Sequence, residues 1–171
     1  VLFRSSAKIY LKDKGIVVLQ KEDMQFGYRK SVCQNLDCVI LEAEFGLKFD
    51  DKEIIKKKND ENLEFRKKHQ PSLILPNCGS IFKNPENNSA GKLLDACGVK
   101  KLKIGGAKVW ENHANFIIND GGATSIDVLE LMYEMKQRVK EKFNINLIPE
   151  ISFLGGNNEK EENLCKILYQ K

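Results

Sequence analysis

Between Gly79 and Gly122 the chain is interrupted at Gly79, Pro85, Gly91, Gly98, Gly105, Gly106, Gly121 and Gly122, so this stretch can hold only short elements. The run that follows, Thr124 to Phe143, contains neither glycine nor proline and must supply the principal helix. Ile126, Leu129, Met132, Tyr133, Val139 and Phe143 fall on one stripe of it. Thr124 is placed to cap the helix with Asp127 as a weak capping box, and Lys140 and Lys142 complement its dipole at the far end. Ser89–Cys97 reads as a two-turn helix stopped by Gly98, and Asn115–Asn119 as a short buried strand. Leu147–Leu154 reads as another strand. Beyond Gly155 the sequence turns polar, with Leu164, Ile167 and Leu168 at helical spacing; a packed helix and a frayed end are both open there.

Upstream, Ile9–Leu11 and Ile16–Leu19 flank Lys12-Asp13-Lys14-Gly15 and predict a β-hairpin with Gly15 in the turn. Leu36–Leu47 predicts a strand with Val39, Leu41, Ala43, Phe45 and Leu47 on one face and Glu42 and Glu44 on the other. From Asp50 to Lys68 the sequence becomes charged and helical, anchored by Ile54, Ile55, Leu63 and Phe65, until Gln70-Pro71 breaks it. A domain boundary is placed there, giving regions 1–70, 71–146, a returning strand at 147–155 and a polar tail at 156–171. Helices and strands mix without regular alternation, so the fold class is α+β.

The chain has 171 residues, 42% of them hydrophobic, with a net charge of +4, which excludes a disordered charged tail. No apolar run is long enough to span a bilayer. Val1 is not an initiator methionine and no signal-peptide layout follows it, so the chain is expected to be a fragment of a longer protein. Five cysteines lack zinc-ligand spacing, which predicts free thiols in a reducing cytoplasm and no metal site. The densest basic region, Lys48–Lys68, is interleaved with acidic residues and reads as a solvated helix face, not a nucleic-acid surface.

Three places are unusual for a purely structural domain. Phe26-Gly27-Tyr28-Arg29-Lys30-Ser31 carries a Tyr-Arg pair that, alone, reads as surface decoration. In Cys78-Gly79-Ser80-Ile81-Phe82-Lys83-Asn84-Pro85 a glycine precedes a serine, and Lys83 and Asn84 can hydrogen-bond an anion, although an ordinary turn is the simpler reading. Pro149-Glu150-Ile151 sets a carboxylate in an apolar strand, where burial is costly without a partner, so Glu150 is either on an exposed face or held for use; sharing the face of Ile148 and Leu154 favours the second. Lys103-Ile104-Gly105-Gly106-Ala107 lacks phosphate-loop spacing, and a Ser80–His113 hydrolase lacks the Gly-x-Ser-x-Gly elbow; His113 reads as structural or as supporting other site residues.

Together, FGYRKS, GSIFKNP, AGKLLDACGVK, KIGGAKVWENHANFIIN and NLIPEISFLG, in that order, resemble the C-terminal two-thirds of the UDP-N-acetylenolpyruvoylglucosamine reductases, the MurB flavoenzymes, from about Ala7 to Gly155. The resemblance implies the end of an FAD-binding α+β domain followed by a substrate-binding domain. It also implies NADPH-driven, FAD-dependent reduction of an enolpyruvyl ether on a UDP-sugar, in peptidoglycan precursor synthesis. Matching motif to motif, Arg29 would polarise the substrate carboxylate, Ser80 would donate a proton to the carbanion, and Glu150 would orient that hydroxyl or assist the electron flow. Tyr28 and Arg66 would contact the flavin, and Lys68, Lys83 and Asn84 the UDP-sugar. The short interval from Arg29 to Ser80 resembles the family's second type, and Trp110 and His69 depart from its usual residues. No glycine-rich flavin-diphosphate segment precedes Ala7. The chain alone is therefore expected not to retain FAD or turn over. The expectations also include a monomer when complete, a cytoplasmic location, and no nucleic-acid or membrane partner; the alternative function is a UDP-sugar-binding module without redox activity.

Overall fold

The computed structural model describes residues 4–72, 74–155 and 158–170. The chain divides into two compact units, Val1–Lys56 and Lys57–Lys171.

In the first unit, strands β1 (Arg4–Leu11), β2 (Gly15–Gln20) and β3 (Cys38–Phe45) form an antiparallel sheet in the order β2-β1-β3. The hairpin is the expected one, with Gly15 at φ 69° pairing with Leu11. A small core gathers beneath the sheet around Ala7, Ile9 and Met24. β3 corrects the alternation read from the sequence. Ile9 pairs with Ile40 but Lys8 pairs with Glu42, so Leu41 is the extra residue of a bulge and the parity changes across it. Val39, opposite Tyr10, therefore shares the outer face with Glu42, opposite Lys8, and with Glu44, opposite Ser6, while Ala43 pairs with inward Ala7.

Helix α1 (Lys52–His69) carries the division between the units. The expected solvated face is the entire helix: none of its residues is buried. The four expected anchors, Ile54, Ile55, Leu63 and Phe65, are about half exposed or more, because apolar positions this sparse do not make a stripe that a neighbour can cover.

The second unit holds a four-stranded antiparallel sheet in the order β4-β7-β6-β5, from β4 (Asn77–Ser80), β5 (Lys103–Ile104), β6 (Ala107–Val109) and β7 (Phe116–Asn119). Helices α2 (Ala90–Ala96), α3 (Ser125–Phe143) and α4 (Glu159–Tyr169) complete it. One core runs through this unit, with Phe82, Leu94, Val109, Met132, Leu147 and Leu168 among its fully enclosed side chains. Ser89 caps α2 by accepting from Lys92 N–H. Thr124 and Asp127 form a complete reciprocal capping box at the start of α3.

The stripe on α3 is broader than its sequence pattern. Leu129, Met132 and Val139 are buried as expected, Ile126 and Tyr133 only partly, and Phe143 is exposed. Leu131, Met135 and Lys136 are buried as well. For Lys136 the cause is α4, a helix formed by the polar tail and packed along α3. Lys136 Nζ donates to Leu168 O at 2.7 Å, at the carbonyl end of α4, and Ser125 Oγ donates to the buried Glu161 carboxylate near its other end.

The strand expected over Leu147–Leu154 is also corrected: it reduces to one bridge, Phe82 with Pro149. Pro149 has no N–H to continue a ladder. Among the described residues no helix is long and apolar enough to cross a membrane.

Candidate active site

Ser80 is the last residue of β4. Asn77 pairs with Ile118 and Ser80 with Phe116, so β4 carries one residue more than β7 over this interval. Gly79 takes φ 82° at this bulge, a left-handed geometry that side chains resist, and its N–H donates to Asn77 Oδ1 at 3.0 Å. The bulge sets the direction of Ser80, whose neighbours Ile81 and Phe82 drop into the core.

Beyond β4 the chain leaves the sheet and acquires a new neighbour. Glu150 N–H donates to Ile81 O at 2.8 Å, and Lys83 N–H donates to Ile148 O at 2.9 Å. These bonds lay Ile81–Lys83 against Ile148–Glu150, so Ser80, Lys83, Asn84 and Glu150 occupy adjoining segments although Glu150 lies far along the chain. Leu147 and Pro149 are buried, Ile148 is exposed and Glu150 half-buried. Glu150 thus lies half-buried on the outward parity, with Leu154 on its face fully exposed. Asn84 Oδ1 accepts from Ala90 N–H at 3.0 Å, fastening the turn after Lys83 to the first turn of α2.

The other expected residues sit elsewhere. Tyr28 and Arg29 occupy the middle of a tight turn in the first unit, closed by Gly27 N–H to Lys30 O at 3.0 Å and Lys30 N–H to Gly27 O at 3.3 Å. Arg29 takes φ 54°, uncommon for a residue with a side chain; its carbonyl accepts from Gln34 Nε2 at 3.1 Å, and its guanidinium lies 5.8 Å from the Tyr28 ring centroid. Arg66 and Lys68 stand on exposed α1 and, two residues apart, do not share a face. Arg66 lines a cleft of about 460 Å³ with Leu63, Lys67, Gln70, Pro71 and Ser72, and its Nε donates to Gln70 Oε1 at 3.3 Å.

His113 is held within the second unit by its neighbours. Its Nδ1 accepts from Asn115 N–H at 3.2 Å, its ring meets Phe116 edge-on, and burial pushes its pKa down. The residue that sequence reasoning passed over is Asn115, 4% exposed, whose side chain bonds both backbone groups of Phe82. The signal was an amide at the head of an otherwise apolar strand, where burial demands partners.

Residues 70–154 match the family profile described as UDP-N-acetylenolpyruvoylglucosamine reductase, C-terminal domain. Curated relatives named UDP-N-acetylenolpyruvoylglucosamine reductase include one from Enterococcus faecalis, 41% identical over 150 residues, which cover 88% of this chain and 50% of that protein. Another, from Caldanaerobacter subterraneus, is 44% identical over 144 residues, covering 84% and 47%. The chain belongs to the UDP-N-acetylenolpyruvoylglucosamine reductase family.

Its fold agrees with that membership. The crystal structure of the MurB reductase from Thermus caldophilus superposes with a TM-score of 0.72 at 34% identity, over 88% of this chain and 52% of that one. The α+β class read from the sequence is the observed class. The chain spans about half the length of the curated relatives it matches.

Proposed function

We propose that this chain is the C-terminal part of a flavin-dependent reductase that converts UDP-N-acetylglucosamine enolpyruvate to UDP-N-acetylmuramate for peptidoglycan synthesis, with NADPH as reductant. In this reading residues up to about 70 close an FAD-binding domain and residues 71–146 form the substrate domain. FAD, when bound, passes hydride from NADPH to the vinyl group of the substrate.

The chain's own residues manage the charge this creates. Reduction at the terminal vinyl carbon leaves carbanion character beside the substrate carboxylate. Arg29 pairs with that carboxylate, the Ser80 hydroxyl gives its proton to the adjacent carbon, and Glu150 orients the hydroxyl. Lys83 meets the substrate as a cation; the Asn84 oxygen is engaged with Ala90 N–H, so a ligand meets its NH₂ group. Lys68 faces the diphosphate. The exposed Tyr28 ring and the Arg66 guanidinium suit a flavin ring and its diphosphate chemically, but two side chains do not enclose a cofactor, so the 171-residue chain alone does not retain FAD.

The observation that carries this reading is the pairing of Ile81–Lys83 with Ile148–Glu150, which supports a shared task for a hydroxyl and a carboxylate so distant in sequence. The test is Ser80→Ala in the complete protein. Flavin binding should persist while turnover falls about a hundredfold or more, the range of a lost proton donor. Turnover near wild type would end the assignment. Titration of the complete protein with the UDP-sugar, with and without FAD, separates a reductase from a sugar-binding module, since only the reductase oxidises NADPH when substrate is added.

A further inference from the structure

β7 begins at Phe116, opposite Ser80, and the chain before it turns away through Trp110–Phe116, so the ladder that fixes Ser80 stops two residues before Phe82. Phe82 is 1% exposed, and a backbone N–H and C=O at that depth require partners. Asn115 supplies both. Phe82 N–H donates to Asn115 Oδ1 at 2.9 Å, Asn115 Nδ2 donates to Phe82 O at 2.8 Å, and Ile81 N–H donates to Asn115 O at 3.0 Å. The primary amide thus imitates the peptide of a missing strand residue. On the other side of the same segment, Ile81 O and Lys83 N–H hold Glu150 and Ile148.

We propose that Asn115 is the positioning residue that sets Ser80 in register with Glu150. This rests on the proton-donor reading of Ser80 given above. No other side chain of this size presents a donor and an acceptor side by side. Aspartate keeps the acceptor for Phe82 N–H but turns a second oxygen toward Phe82 O; serine and alanine are too short to span both groups. Loss of the clamp frees Ile81–Lys83 on one side, and the register with Ile148–Glu150 loosens with it.

The experiment compares Asn115→Asp and Asn115→Ser with the parent in the complete protein. It reads the two half-reactions separately: flavin reduction by NADPH, and flavin reoxidation by the enolpyruvyl substrate. Reduction should stay within twofold of the parent while reoxidation slows at least tenfold, and amide exchange at Phe82, Lys83 and Glu150 should rise by a similar factor. Asn115→Ser keeps the test open where the buried charge of Asn115→Asp prevents folding. In a Ser80→Ala background the Asn115 substitution should add little, because both act through one hydroxyl. Reoxidation at the parental rate, an equal fall in both half-reactions, or losses that multiply in the double variant would each overturn the assignment. If Ser80→Ala slows reoxidation and the Asn115 variants do not, only this inference falls; if Ser80→Ala leaves reoxidation unchanged, the proposed function falls first.

Discussion

Leu168→Ala tests whether α4 belongs to the folded unit or merely follows it. Leu168 has no exposed surface and is α4's only buried apolar side chain. Removing about three methylene-sized groups forfeits about 2.4 kcal/mol of transfer energy, and the cavity left behind raises the cost into the range of roughly 2–5 kcal/mol. That energy is drawn largely from the docking of α4. A helix of 11 residues is marginal alone, so its hydrogen bonds persist only while it is docked. The variant should therefore open locally before it unfolds globally. Native-state hydrogen exchange is the assay: α4 amides should lose about fiftyfold or more in protection, the factor equivalent to about 2.4 kcal/mol, while α3 amides between Leu129 and Met135 change less. The consequence reaches the candidate site, because Tyr169 Oη donates to Ile151 O at 2.9 Å, next to Glu150. In the complete protein the same substitution should lower turnover more than it changes flavin content. Protection of α4 within threefold of the parent would refute the reasoning.

Gly91→Ala places a Cβ 2.8 Å from His113 Cε1, and that ring is held by Asn115 N–H, so it cannot yield freely; a loss of about 1–3 kcal/mol is expected in urea melts. Thr124→Ala removes the hydroxyl half of the α3 capping box and should cost about 1 kcal/mol, read as a lower melting temperature with unchanged helical circular dichroism. Burial holds His113 neutral in the folded chain, with its pKa lowered, so below about pH 6.5 the unfolded chain takes up a proton that the folded chain refuses. Stability contributed by this group is present above that pH and declines as pH falls toward the folded value. His113→Gln should flatten that slope between pH 7.5 and 5.5, and an unchanged slope would assign it to other groups.

The elements that local chemistry specifies were legible in the sequence. The hairpin at Gly15, the break at Gln70-Pro71, the short helix stopped at Gly98 and the capped α3 depend on residues within a few positions of one another. What escaped depends on partners distant in the chain. The Leu41 bulge exists because β3 meets β1 in a particular register, and it puts Val39 and Glu42 on one face where unbroken alternation would set them on opposite faces. The burial of Lys136 needs α4, whose own pattern of Leu164, Ile167 and Leu168 could not decide between packing and fraying. The Ser80 and Glu150 motifs could be matched to a family, but their adjacency comes from two backbone hydrogen bonds that no local pattern announces.

Those two bonds also account for the placement of the carboxylate. A regular strand over Leu147–Leu154 would repeat its hydrogen bonds along the whole segment. Pro149 prevents that, and the segment is instead held at Ile148 and Glu150, on either side of the proline. The burial of Leu147 and Pro149 fixes the parity, which sends Ile148 and Glu150 outward. Glu150 is thereby kept out of the core, while Ile81 and Phe82 anchor the facing segment in it. Buried apolar residues on both segments thus hold the backbone from which Ser80, Lys83 and Glu150 project, so in the proposed site these side chains stand on backbone that cannot follow them into solvent.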